Sequence, residues 1–455
     1  MPRQNGGGRF PNVKLLSQYV TRGPRGSARG VPARIVLKGV ADAGGKAVTL
    51  IVTALAARTL VSDAFGVMAL AMTTGWLLGV ATDAGLSIYL ARETARHGER
   101  ARALVGEVMG LRVATAYSAA AMAALFSSWF VPPHWRLQFT LVVLAQLTAA
   151  VLETLAHFFR GLERSEIESA LHLAQRALTL VFAVVVLWWW PRLDYLGVAL
   201  LAPPLGALMI GGAIAARCQT PFPDGRPEPV KEGSLTPSVF FRDVLPLGAG
   251  VLLSALYFRI DLFFIERWHG LEPVGAYNAV FRLVEAMRLL PAAVMAVTFP
   301  LLVQTTGTRL VQRIGGSLAI AGVVLAALCV AASSWIVTAV YGAPYGYAAP
   351  AFAVLALALP LFFLNYALTH QVIGWDGQRA YLRIAALALV ANVAANIALV
   401  PSQGMVGAAI ATVITELVVT AGCLLALRSH DRAAGSTLEK KAKGRRQKAE
   451  GHVAV

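Results

Sequence analysis

The apolar stretches of this chain carry charges that hydrocarbon tolerates only under special conditions, and those charges fall into line. Lys38, Asp42 and Lys46 recur every four residues in the first long apolar segment, so a helix sets them on one stripe. Asn278, Arg282 and Glu285, at steps of four and three residues, share one helix face in a later segment, with Arg288 next along it. An ionisable group inside a bilayer is costly unless it faces water or pairs with another charge. Such stripes predict a polar passage through a membrane protein.

Composition fits that reading: 57% of the residues are hydrophobic and 14% charged, and the mean hydropathy is +0.63. A soluble chain of 455 residues needs far more polar surface. The net charge of +16 would suit nucleic acid, but the bases concentrate in the tails and in alternate loops, which is the signature of membrane topology. No nucleic-acid role is expected. Cys218, Cys329 and Cys423 are far apart, with neither a disulfide framework nor metal-ligand spacing. The stretch before Arg34 is basic and Gly-rich without an apolar core, so it reads as a cytoplasmic tail rather than a cleaved signal.

Windows of about 20 residues, enough to cross the hydrocarbon core, fit at 35–57, 64–91, 104–130, 136–159, 169–190, 195–216, 243–265, 274–303, 314–341, 349–373, 381–400 and 404–427. The expected fold is therefore all-α and integral to the membrane, with twelve transmembrane helices. The even loops hold many bases, among them Arg92, Arg160, Arg164, Arg309, Arg313, Arg379 and Arg383, whereas the odd loops offer Arg58, Arg136, Arg192 and Arg267. By the positive-inside rule both termini are cytoplasmic. The Pro-rich stretch 217–242 reads as a cytoplasmic linker. It divides the chain into a basic tail (1–34), a first lobe (35–216), a second lobe (243–427) and a second basic tail (428–455).

The lobes resemble each other faintly. Asp63-Ala64-Phe65-Gly66 and Glu272-Pro273-Val274-Gly275 each place an acid three residues before glycine, and Gly197-Val198-Ala199 matches Gly407-Ala408-Ala409 in nearly the same register. With an even number of spans per lobe, the two six-helix lobes would be related by a pseudo-two-fold along the membrane normal around a central polar cavity.

Arg259-Ile260-Asp261-Leu262-Phe263-Phe264-Ile265, Val274-Gly275-Ala276-Tyr277-Asn278-Ala279 and Thr298-Phe299-Pro300-Leu301 resemble the seventh and eighth helices of Wzx-type polysaccharide flippases. These belong to the multidrug/oligosaccharidyl-lipid/polysaccharide (MOP) exporter superfamily. The resemblance implies an inner-membrane protein that turns undecaprenyl-pyrophosphate-linked oligosaccharides from the cytoplasmic to the periplasmic leaflet by alternating access. It also implies membrane lipids, a polysaccharide polymerase and other assembly proteins as partners, and no cofactor. Twelve spans leave no room for the extra helix pair of lipid II flippases.

Depth along each span sorts the candidate residues. Lys46, Arg288 and Glu416 fall near the bilayer middle; Arg259, Asp261 and Arg282 in the outer half; Asp42, Asp83, Glu153, His157, His172 and Arg176 in the cytoplasmic half. A pyrophosphate crossing oil needs counter-charge, and arginine's planar fork binds phosphate oxygens in pairs. Lys46, Arg259, Arg282 and Arg288, with Asn278, are the candidate substrate contacts. Asp42, Asp83 and Glu416 are candidate ion carriers. Asp261, Glu285, Glu153, His157, His172 and Arg176 are candidate gate or structural residues. The competing reading is mutual pairing, since Asp42 with Lys46 and Arg282 with Glu285 are helical neighbours. Lys38, Glu107 and Arg112 lie near enough to the cytoplasmic edge to snorkel.

Gly44-Gly45-Lys46-Ala47 lacks the Ser or Thr of a P-loop and lies inside a span. It reads as a tightly packed or bendable helix. Kinks are expected at Pro291 and at Pro203-Pro204. A multidrug exporter is the nearest rival reading. A membrane-embedded polysaccharide polymerase or ligase is the rival from another class, but no carboxylate pair or metal set suited to catalysis emerges.

Overall fold

The computed structural model describes residues 31–96, 101–218, 245–304, 308–375 and 377–453. The expected tail up to residue 30, the side chains of Lys38 and Asp42, residues 219–242 of the expected linker and the side chains beyond 430 lie outside them. The described residues are helical with no strand.

The first set of helices is α1 (Val31–Thr59), α2 (Ser62–Asp83), α3 (Leu86–Arg96), α4 (Ala101–Phe126), α5 (Arg136–Gly161), α6 (Ser165–Trp189) and α7 (Leu193–Arg217). The second set is α8 (Leu245–Arg259), α9 (Asp261–His269), α10 (Leu271–Met287), α11 (Leu289–Gln304), α12 (Arg309–Ala331), α13 (Ser333–Tyr341), α14 (Ala349–Ala356), α15 (Leu359–Gly374) and α16 (Gln378–Val453). Within the first set α5 packs against α2, α4 and α7, and α6 against α1; within the second, α15 packs against α12 and α16, and α8 against α16. Between the sets, α2 meets α10 and α8, while α1 meets α10 and α13.

Small residues set these contacts. Without a hydrophobic drive between helices in lipid, close approach of backbones is what stabilises packing. A methyl group at Gly66 of α2 would overlap the Leu271 carbonyl of α10, and one at Gly275 of α10 would overlap Phe65. The two register-matched glycines thus lie against each other across the junction of the sets. Residues Ala64 to Ala71 of α2 are buried on every side, which makes α2 the central helix. Peripheral helices instead show large apolar side chains outward, and a band of exposed tryptophans (Trp129, Trp188, Trp189, Trp190 and Trp335) gathers at one end of the bundle. This is where aromatic side chains sit at a membrane surface. The arginine-rich turns form the other end.

The helices are more broken than the sequence suggests. By length and composition, eight of those described can cross a membrane, or nine when the bent pair α14 and α15 counts as one. The difference from twelve lies in α1, in the divided α10 and α11, and in α16, where two expected spans run on across Gly404 (φ 56°, ψ −130°). The expected unbroken span 64–91 is corrected: Ala84 and Gly85 take φ of 44° and 92° and end α2. The Asp83 carboxylate then accepts the N–H groups of Gly85 and Ser87, each at 3.2 Å, capping the first turn of α3. The division of α10 from α11 at Arg288 stands three residues before Pro291, which cannot donate to the Met287 carbonyl. Pro203 and Pro204, by contrast, sit inside an unbroken α7.

Candidate functional site

A cavity of about 860 Å³ lies between the two sets, walled by α1, α2, α5 and α6 on one side and by α8 and α10 on the other. A pocket of about 350 Å³, lined mainly by the second set, adjoins it and shares Lys46, Trp76, Val80, Val251, Glu285 and Tyr366 with it. Together they are lined by six basic side chains (Lys46, Arg112, Arg176, Arg259, Arg282, Arg288) and four acidic ones (Asp83, Glu153, Glu285, Glu416).

The second-set wall is built around one carboxylate. Glu285 accepts from Arg259 at 2.8 Å and from Arg282 at 2.7 Å. Two guanidinium groups on one carboxylate leave a unit of positive charge in a wall with little water, where Coulomb interactions are strong. Arg259 also donates to the Asn278 carbonyl oxygen at 3.3 Å and lies 4.4 Å above the Phe281 ring. Arg282 Nε and Asn278 Nδ2 are buried with no acceptor among the described residues. Arg288 is held differently, with its guanidinium 4.3 Å from the Phe258 ring and 4.6 Å from the Phe362 ring. It lines the smaller pocket with Glu416, whose carboxylate accepts from Asn365 Nδ2 at 2.7 Å.

The division at Ile260 separates Arg259 from Asp261. Arg259 reaches the cavity, while Asp261 accepts from the Tyr277 hydroxyl at 2.5 Å and the Leu262 N–H at 3.0 Å, tying α9 to α10. Asn278 does not meet its expectation of facing the lumen: it is fully buried behind Arg259. It positions an arginine.

On the first-set wall, Glu153 of α5 lies 3.2 Å from His172 of α6 and 3.6 Å from His157. This cluster joins two helices of the same set and also lines the cavity. Asp83 receives Ser87 as well as the two backbone groups, and Arg112 is 3.9 Å away. The snorkelling expected of Arg112 is corrected, because only 1% of its side chain is exposed. It turns inward to the Gly79 carbonyl at 2.9 Å, to Thr154 at 3.1 Å and to Thr82. Depth along a helix can be read from sequence, but rotation about its axis cannot. No sequence pattern singles out Trp76 for the same reason: it is 41% exposed although α2 is central, and it lines the cavity.

Solved structures share this fold. The chain resembles a lipid II flippase, MurJ, in an inward closed conformation (11% identity, TM-score 0.60), covering 87% of each chain. It resembles an outward-facing multidrug resistance MATE transporter of the MOP superfamily (16% identity, TM-score 0.60), covering 90% of this chain and 96% of that one. It also resembles a MOP superfamily transporter from Pyrococcus furiosus reported to have a binding pocket of reversed polarity (15% identity, TM-score 0.60), covering 89% and 96%. The lipid II flippase is thus matched over a smaller share of its length than the other two. No curated protein matches in sequence. The profile of polysaccharide biosynthesis proteins matches residues 36–306, more than half of the chain, and the protein, a multi-pass membrane protein with the MOP transporter fold, belongs to that family.

Proposed function

We propose that this protein is a flippase that carries undecaprenyl-pyrophosphate-linked oligosaccharide from the cytoplasmic to the periplasmic leaflet, for O-antigen, capsule or exopolysaccharide assembly. The observation that carries the reading is the basic majority lining a cavity between two helix sets. A pyrophosphate entering that space meets Arg282 and Arg259 on one side and Lys46 on the other, and the surplus charge offsets its cost in a low-dielectric slab. Trp76 offers a flat apolar face to a sugar ring beside these charges. The protein sits in the bacterial inner membrane with the arginine-rich end and both termini in the cytoplasm. It moves cargo by alternating access, without covalent chemistry, and Asp42, Asp83 and Glu416 are the carboxylates available to couple an ion.

A deletion strain should accumulate polyprenol-linked repeat units on the cytoplasmic leaflet. Arg282→Ala or Arg288→Ala should abolish export while membrane insertion is retained; full export by both variants would remove the head-group role. The second reading, a multidrug exporter, draws on the aromatic smaller pocket where Glu416 stands among Tyr257, Phe258 and Tyr381. Toxin resistance on expression, with no effect on polysaccharide export, would favour it.

A further inference from the structure

The smaller pocket holds two opposite charges that do not meet. Arg288, where α10 gives way to α11, and Glu416 of α16 both line it, and neither makes a contact ion pair among the described residues. Each is held by other neighbours. The Arg288 guanidinium lies against the Phe258 ring of α8 and the Phe362 ring of α15, with no hydrogen bond to any described residue. Asn365 of α15 fixes Glu416, its Nδ2 donating to Oε2 at 2.7 Å and to the Glu416 backbone carbonyl at 3.0 Å. Thr420 in turn donates to the Asn365 carbonyl oxygen at 2.8 Å. Glu416 Oε1 is left without a donor among the described residues, yet they do not seal it in.

Ionisable groups this deep in a membrane protein pair with one another or face a polar space that serves function. A guanidinium only donates hydrogen bonds and an ionised carboxylate only accepts them, so the pocket offers one open site of each kind. A phosphate suits the first and is repelled by the second; an organic cation does the reverse. A hydroxyl donates and accepts at once, and neighbouring hydroxyls on one ring serve both. The other walls include Trp76, Tyr366 and Tyr381, flat apolar bodies with a polar tip that suit the C–H face of a sugar. At about 350 Å³ the space is at the small end of ligand pockets, which run to about 300–1,000 Å³. It fits a sugar ring rather than a whole repeat unit. Trp76 and Tyr366 also line the larger cavity, so the two spaces join past aromatic side chains.

We propose that the smaller pocket is a subsite for one uncharged pyranose ring of the cargo, with Glu416 accepting from its hydroxyls, Arg288 donating to them and the aromatic walls stacking on its faces. This inference rests on the lipid-linked oligosaccharide reading of the cavity. Asn365 is a positioning residue, since it turns one carboxylate oxygen away and leaves the other for the sugar. The pocket also selects. Arg288 and Glu416 cancel, so a ring bearing its own carboxylate or amine brings a charge with no net counter-charge to meet it, and leaving water costs it more than it costs a neutral ring.

The test measures binding by the full-length protein in nanodiscs. The probes are farnesyl pyrophosphate, bare or bearing one ring: glucose, galactose or N-acetylglucosamine as neutral rings, glucuronic acid and glucosamine as charged ones, with farnesol as the control without phosphate. In wild type at least one neutral ring should tighten binding about ten-fold over the bare pyrophosphate, and both charged rings should bind more weakly than that one. Glu416→Gln and Arg288→Gln should each bring the ratio of ring-bearing to bare affinity to within about two-fold of one. A carboxylate that served only to carry an ion would leave that ratio unchanged, which would overturn the subsite. So would equal binding of every ring and the bare probe, or tightest binding of glucosamine, the result expected of a cation exporter. In the first two cases the flippase reading stands; it fails separately if bare farnesyl pyrophosphate binds no better than farnesol. Should the variants prove unstable, the ring preference of wild type decides by itself.

Discussion

The two helix sets meet by unequal means at the two ends of the bundle. At the tryptophan end, Gly66 and Gly275 bring α2 and α10 into backbone contact, the Phe65 ring meets Tyr345 edge-on at 5.7 Å, and Arg58 of α1 donates to the carbonyls of Val340 and Ala339 beyond it. At the arginine-rich end, among the described residues, Gly248 of α8 lies against the Ala84 backbone, where α2 has already ended in a left-handed turn. The first closure is several residues deep and drawn from α1, α2, α10 and α13. The second is drawn from two helix ends, the end of α2 and the start of α8. A two-state carrier whose conformations differ by a few kcal/mol should favour the state in which the deeper closure is intact.

The largest effect is expected where the deeper closure is thinnest in atoms. Gly66→Ala places a methyl group on the Leu271 carbonyl, a backbone atom that cannot swing aside, and overpacking of this kind costs about 1–3 kcal/mol. The helix-propensity gain of alanine, up to about 1 kcal/mol, favours both conformations equally and does not restore the closure. Polysaccharide export should fall about ten-fold or more, and spin labels at Asp63→Cys and Tyr347→Cys, both exposed at this end, should move apart. Unchanged export with an unchanged label distance would show that this contact is not a moving seal.

Gly248→Ala tests the other end. The overlap is again with backbone, at Ala84, but the partner is a helix terminus in a turn that can shift. Export should drop only about two- to five-fold, and labels at Glu163→Cys and Arg309→Cys should report a wider arginine-rich end. A loss as large as that of Gly66→Ala would make the two closures equivalent and remove the asymmetry.

The asymmetry was half visible in the sequence. The offset that pairs Gly66 with Gly275 singled out both glycines, because a repeat leaves its mark as matched residues at matched depth. The arginine-rich turns oriented the chain, since lysine and arginine placement is a property of loops. What stayed hidden depends on rotation and on local breaks. Asp83-Ala84-Gly85 lies within an apolar run and reads as part of a continuous span, although Gly85 with an acid two residues before it is what a turn requires. Depth alone sets Arg112 at the membrane edge, whereas the Gly79 carbonyl and two threonines draw it inside. The Glu285 junction was legible only as an Arg282–Glu285 neighbour pair; that Arg259 joins it follows from the meeting of α8 and α10, which no local pattern encodes.

The smallest effect should come from Arg58, although it makes the most conspicuous contact between the sets. Its guanidinium donates to Val340 at 2.8 Å and to Ala339, tying the end of α1 to α13. Both bonds are exposed to solvent, so Arg58→Gln exchanges protein acceptors for water, and the net loss is about 0.5–1.5 kcal/mol for each bond at most. The buried glycine contacts beneath it remain and keep the end closed. Export by Arg58→Gln should therefore stay within about two- to three-fold of wild type, with the Asp63–Tyr347 label distance broadened rather than shifted. A collapse of export comparable to Gly66→Ala would mean that the closure is held at its rim, and that the packed glycines follow the arginine instead of anchoring it.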